Sequence, residues 1–159
     1  MKRLILSTVL AAMPAFALLP ALGHAQDALT PEAAHEARED FMKVFGQNMK
    51  VLSDMAKGDV AYDEAAASAA AAAIEEQSGK DLAALLVPGS SSDDVDESRA
   101  LPAIWDNVED VTAKFADLNE AAAGASEAVK GGQDNIGPVL QKLGGTCKAC
   151  HDDYRQPET

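Results

Sequence analysis

The residues best placed to do chemistry stand together near the C-terminus, as Cys147-Lys148-Ala149-Cys150-His151. On a helix, positions i, i+3 and i+4 share a face, so both thiols and the imidazole point one way while Lys148 and Ala149 point elsewhere. Cys-x-x-Cys-His is the attachment pattern of a c-type haem. The two sulfurs form thioethers with the haem vinyl groups, and the adjacent imidazole reaches the iron as its proximal ligand. Covalent attachment keeps such a cofactor in place in either oxidation state. Other chemistries are open to the same residues. A redox dithiol needs a strand-to-helix βαβ setting. A structural zinc site needs a fourth ligand beyond Cys147, Cys150 and His151, and His35 is the only other histidine downstream of residue 25. A plain disulfide beside an incidental histidine is the third alternative.

The elements that must carry these residues read as helices throughout. No stretch alternates apolar and polar residues with β-branched enrichment, whereas alanine-rich helical patterns fill most of the chain. Thr30-Pro31 reads as an N-cap followed by a proline start, and Lys57-Gly58 as a basic last turn with a glycine stop. The helix between them, from about Pro31 to Lys57, carries Phe41, Met42, Phe45, Met49, Leu52 and Met55 as one apolar stripe. Asp63 caps a second, weakly amphipathic helix through the alanine tract to about Gln77, with thin packing expected of it. Residues 88–94 form a polar, turn-forming linker. Leu101-Pro102 then starts a third helix, with Ile104, Val108, Val111, Phe115, Leu118 and Ala122 on one face and Gly131-Gly132 as its latest stop. The last helix begins after Asp134-Asn135 and bears the cysteines. Four helices joined by short connections predict an all-α, antiparallel four-helix bundle.

Met1-Lys2-Arg3 followed by the apolar run Leu4 to Leu22 reads as a secretory signal peptide, with Gly23-His24-Ala25 as its cleavage site. The expected division is a leader over residues 1–25 and one bundle domain over 26–159, placed in the periplasm. Pro14 and Pro20 interrupt the run and argue against a membrane-spanning helix. The chain has 13 basic and 26 acidic residues, a formal charge of −13, and the leader holds only basic ones, so the mature protein is more acidic still. Such a charge disfavours nucleic acid and anionic membranes and suits basic partner proteins; it equally serves solubility.

The run Cys147 to Arg155, C-K-A-C-H-D-D-Y-R, at the end of an exported four-helix chain resembles the class II cytochromes c, the cytochrome c-prime family. The resemblance extends through Arg38-x-x-x-Met42, Lys57-Gly58 to Tyr62-Asp63, Pro88-Gly89-Ser90, Ser98-x-Ala100-x-Pro102-x-Ile104-Trp105, and Gly144. It implies a left-handed antiparallel bundle, often a homodimer, holding one covalent haem c between helices near one end. It also implies that Arg38, Glu39, Ser98 and Arg99 lie near the haem, the two arginines as propionate partners in two-pronged geometry. The family often has glutamine where Glu39 stands, and a carboxylate there would repel the propionates. Tyr154 is expected to pack, and Arg155 to sit over the proximal face.

A haem without acid–base residues around it is an electron carrier or a gas-ligand site before it is an enzyme. The leading expectation is electron transfer between redox partner proteins; the alternative is binding of nitric oxide or carbon monoxide at an open sixth position. Peroxidase chemistry ranks below both, because no distal histidine–arginine pair is evident. Met42 divides the first two. Four residues after Arg38 and on the stripe with Phe45 and Met49, it is expected to reach the iron as a second axial ligand, as in the low-spin branch that the run 42–49 resembles. The alternative is that Met42 packs over an open iron. His35, two turns earlier, is a lesser candidate.

Overall fold

Thr30 and Gly58 bracket the first helix, α1 (Pro31–Lys57). The Thr30 side chain accepts the Ala33 N–H at 3.2 Å, and Pro31 presets the first helical φ. Gly58 adopts φ 78°, a left-handed conformation that a side chain would strain, and donates its N–H to the Met55 carbonyl at 3.0 Å. Thr30→Ala removes one cap and is expected to cost about 1 kcal/mol, read as an earlier urea midpoint. Asp63 caps α2 (Glu64–Ser78) by accepting the Ala66 N–H at 2.9 Å. The computed structural model describes residues 29–157; the expected leader and its cleavage site lie outside them.

The third helix departs from expectation. A short helix, α3 (Ala103–Asp106), ends at Asn107, where φ −136° and ψ 40° break the helical path before α4 (Val108–Ala122). The Asn107 side-chain amide donates to the Ala103 carbonyl at 2.9 Å, a local bond that competes with helix continuation. The break turns Val108 outward, away from the buried face assigned to it. Ala123 and Gly124, the latter at φ 78°, end α4 well before Gly131, and one turn follows, α5 (Ala125–Ala128). A 3₁₀ turn at Gln133–Asn135 leads into α6 (Ile136–Tyr154). Pro138 is tolerated there because a first-turn N–H has no intrahelical acceptor.

The long helices α1, α2, α4 and α6 pack as a four-helix bundle, and the described residues form no strand. Gln133, just before α6, donates to the Ala56 carbonyl near the end of α1, whereas Tyr154, at the end of α6, donates to Asp110 near the start of α4. Helix α6 therefore runs antiparallel to both. Two apolar clusters fill the interior. The larger is built on Phe45, Leu52, Ile74, Leu118, Ile136 and Leu143, with α2 contributing mostly alanines. The smaller gathers Leu82, Ile104, Val111 and Tyr154. Phe41 and Phe115 pack against both, so they stand at the seam.

Candidate functional site

The seam is where α6 presents its cysteines. Cys147 packs against the larger cluster and Cys150 against the smaller, and His151 is half-buried beside them. Phe41, Phe45 and Phe115 form a triangle there, with ring centroids 5.7 to 6.3 Å apart in tilted and edge-on arrangements. Gly144, one turn before Cys147, leaves that side of α6 bare: a Cβ built on it meets nothing within 4 Å. Two thiols and an imidazole beside bare helix surface and aromatic walls match the demands of a large, flat, apolar macrocycle.

The electrostatics agree. Burial pushes both thiols above the usual cysteine range, and each is a free cysteine. Thioredoxin-type dithiols work by the opposite shift, a lowered thiol pKa, and sit in a βαβ unit that the described residues do not form. Burial, followed by the nearby charges of Arg155 and Arg99, pushes the His151 pKa down, which favours the neutral imidazole, the form that can ligate a metal. Among the described residues no three His, Cys, Asp or Glu side chains gather as a cage for a bare ion.

Arg38 is buried rather than solvated. Its Nη1 donates to the Leu85 carbonyl at 2.8 Å and to Ser90 Oγ at 2.7 Å, and its Nη2 to the Ser90 carbonyl at 2.6 Å. The guanidinium lies 5.6 Å from the centre of the Trp105 ring, whose Nε1 donates to the Leu86 carbonyl at 3.2 Å. Ser98, also buried, donates to the same Ser90 carbonyl at 3.1 Å. These residues tie the 85–98 loop to α1, and Trp105 packs in the cluster that Cys150 touches. Arg99 bonds to the C-terminal segment, its Nη2 donating to the Gln156 carbonyl at 2.6 Å. Glu39 projects outward and pairs with Lys43 at 3.1 Å. Met42 belongs to neither cluster and is 36% exposed; His35 is half-buried one turn before Arg38.

Cys147, Cys150 and Phe41 thus border the same two clusters, with His151 beside the cysteines, and the charge of Arg99 acts on His151; the sequence reading gave Arg38 no partner within the protein and assigned no such contacts to Ser90, Trp105 or Phe115. It also took Tyr154 as packing alone, whereas its hydroxyl donates to Asp110 Oδ2 at 2.7 Å.

Comparison with known proteins places these residues in a lineage. Residues 33–155 match the family described as Cytochrome C'. A curated relative, "Cytochrome c'" of Cereibacter sphaeroides, is 38% identical over 155 residues, 98% of each chain. A "Cytochrome c-556" of Agrobacterium tumefaciens is 36% identical over 121 residues, covering 76% of this chain and 93% of that one. Among solved structures, cytochrome c' from "Rhodobacter Spheriodes" superposes with a TM-score of 0.76 at 36% identity, over 82% of this chain and all of the other.

Proposed function

Because the chain belongs to the cytochrome c' family, which binds one covalently attached c-type haem, we propose that it is an exported electron carrier held to that haem through Cys147 and Cys150. His151 is the proximal iron ligand and Met42 the distal one in this reading. The bound group supplies reversible one-electron chemistry at iron. The observation that carries the reading is the shared face of α6, where two free thiols and the half-buried His151 imidazole border the seam between the apolar clusters.

The chain's own residues divide the work. Phe41, Phe45 and Phe115, packed together at the seam, would exclude water from a haem held there and so raise the cost of charge beside it. Arg99, whose charge already acts on His151, would meet a propionate, and Arg155, whose charge acts on the same imidazole, would stand over the proximal side. Arg38 holds the loop that walls the site. Glu39, turned outward to Lys43, contributes surface charge only. The acidic surface suits a basic redox partner in the periplasm, and among the described residues no helix is long and apolar enough to cross a membrane. One related cytochrome c' is described as undergoing ligand-controlled dimer dissociation, and a homodimer is proposed here too.

A second reading rests on Met42. Its side chain lies outside both clusters, so nothing in the packing fixes its sulfur on the iron, and an open sixth position would bind nitric oxide or carbon monoxide. Optical spectra of the haem-loaded protein decide between the readings. Electron transfer with Met42 ligation gives a low-spin ferrous spectrum with separated visible bands and no carbon monoxide adduct. Met42→Ala should then produce a high-spin form that binds carbon monoxide. A wild type that is already high-spin and takes up carbon monoxide readily overturns Met42 ligation and favours the gas-binding reading.

A further inference from the structure

The last turn of α6, which carries His151, is tied down on two sides by bonds that no packing argument requires. On one side Tyr154 donates its hydroxyl to Asp110 Oδ2 at 2.7 Å, and Lys114 of α4 pairs with Asp153 at 3.1 Å and lies 3.8 Å from Asp110. On the other side Ala100 and Arg155 pair as an antiparallel bridge. The Leu101 N–H donates to the Tyr154 carbonyl at 3.0 Å, and the Gln156 N–H to the Arg99 carbonyl at 2.8 Å. Helix C-termini ordinarily fray, because their last carbonyls have no intrahelical donors. Here the final turn is held instead.

We propose that Tyr154 and Asp110 are positioning residues for His151: their hydrogen bond fixes the terminal turn of α6 against α4 and so sets the plane of the imidazole at the iron. The inference rests on the proposed ligation by His151. Metal-bound histidines usually have their ring set by an acceptor on the second nitrogen. Among the described residues no acceptor engages the His151 ring, so its orientation is left to the backbone turn beneath it. Tyr154 sits three residues beyond His151 on the same side of α6, and it is the one side chain of that turn counted in an apolar core. Its hydroxyl, with a pKa pushed up to about 12 by Asp110 and by burial, remains a donor at any working pH.

The test is the electron paramagnetic resonance spectrum of the ferric haem-loaded protein, whose rhombic splitting follows the orientation of the axial imidazole. Tyr154→Phe removes the bond without changing charge, Asp110→Ala removes the acceptor, and Asp110→Asn keeps an acceptor oxygen while removing charge. Both Tyr154→Phe and Asp110→Ala should shift the splitting in the same direction, and the double variant should shift it no further than either alone. Asp110→Asn should stay near the wild type. Circular dichroism confirms that each variant is folded; should Asp110→Ala not fold, Asp110→Asn combined with Tyr154→Phe takes its place and must match Tyr154→Phe alone, and should Tyr154→Phe not fold, a shift in Asp110→Ala that is absent from Asp110→Asn carries the comparison. Spectra of folded variants that superpose on the wild type, or shifts that simply add, overturn the inference. Wild-type protein lacking covalent haem or a histidine-ligated signal overturns the parent reading instead.

Discussion

Replacing Cys147 and Cys150 together with serine is expected to yield a chain from which all haem is extracted by acidified organic solvent after denaturation, whereas the wild type retains it. Serine keeps the size and helical fit of each position but cannot form a thioether, so the change isolates attachment from packing. Each single variant should keep its haem through denaturation, because one thioether is enough to tether it. The double variant should also lose much of its helical circular dichroism and thermal stability. Helix α2 buries chiefly Ala67, Ala70 and Ala71, with Ile74 its only large aliphatic side chain in the core, so its burial contributes little. A ligand bound only to the folded chain stabilises it by mass action, and a tethered one does so at very high effective concentration. Haem that leaves the denatured wild type, or a double variant as helical and heat-stable as the parent, would remove the basis for this assignment.

Arg38→Met is expected to lower stability by roughly 2–3 kcal/mol, the range for losing charged hydrogen bonds at a buried position. Methionine keeps an aliphatic stem at this buried position, so the loss is confined to the guanidinium. Without it, the Leu85 carbonyl loses its buried donor and Trp105 its cation, while the Ser90 carbonyl keeps only the bond from Ser98. Arg38→Lys should recover less than half of the difference, since one ammonium cannot span Leu85 and Ser90 as the planar fork does. Urea unfolding of the haem-loaded protein supplies the measurement. An Arg38→Met midpoint equal to that of the wild type would show that the 85–98 loop is held by other contacts.

The boundaries of α1, α2 and α6 were legible because each is marked locally: Thr30 with Pro31, Lys57 with Gly58, Asp63, and the polar run before Ile136. The break at Asn107 was not, because an asparagine between Asp106 and Val108 fits a helix on propensity and its competing bond to Ala103 appears only once the turn has formed. The burial of Arg38 left a trace that its charge concealed. Ala34, Arg38, Phe41, Phe45 and Leu52 fall at three-, four- and seven-residue intervals, so Arg38 lies on the inward stripe despite its charge. The Cys147-x-x-Cys150-His151 pattern was legible because it stands in five adjacent residues, and the family it pointed to is the one the chain belongs to. The Tyr154–Asp110 bond was not, as its partners stand 44 positions apart and neither residue type announces the other.

That separation in sequence bears on the order in which the molecule assembles. Helical hydrogen bonds join residues four apart and close within about a microsecond. The bonds that close the site join residues far apart: Arg38 to Leu85 and Ser90 across 47 and 52 positions, Tyr154 to Asp110 across 44, and Arg99 to Gln156 across 57. Each requires long loops to be closed before it returns any energy, so the walls of the site form after the bundle has gathered. The same contacts are the first to be given up in partial opening. Amide exchange in the native protein should therefore run faster at Leu101, Arg155 and Gln156 than in the middle of α1, with the bundle intact and the site momentarily ajar.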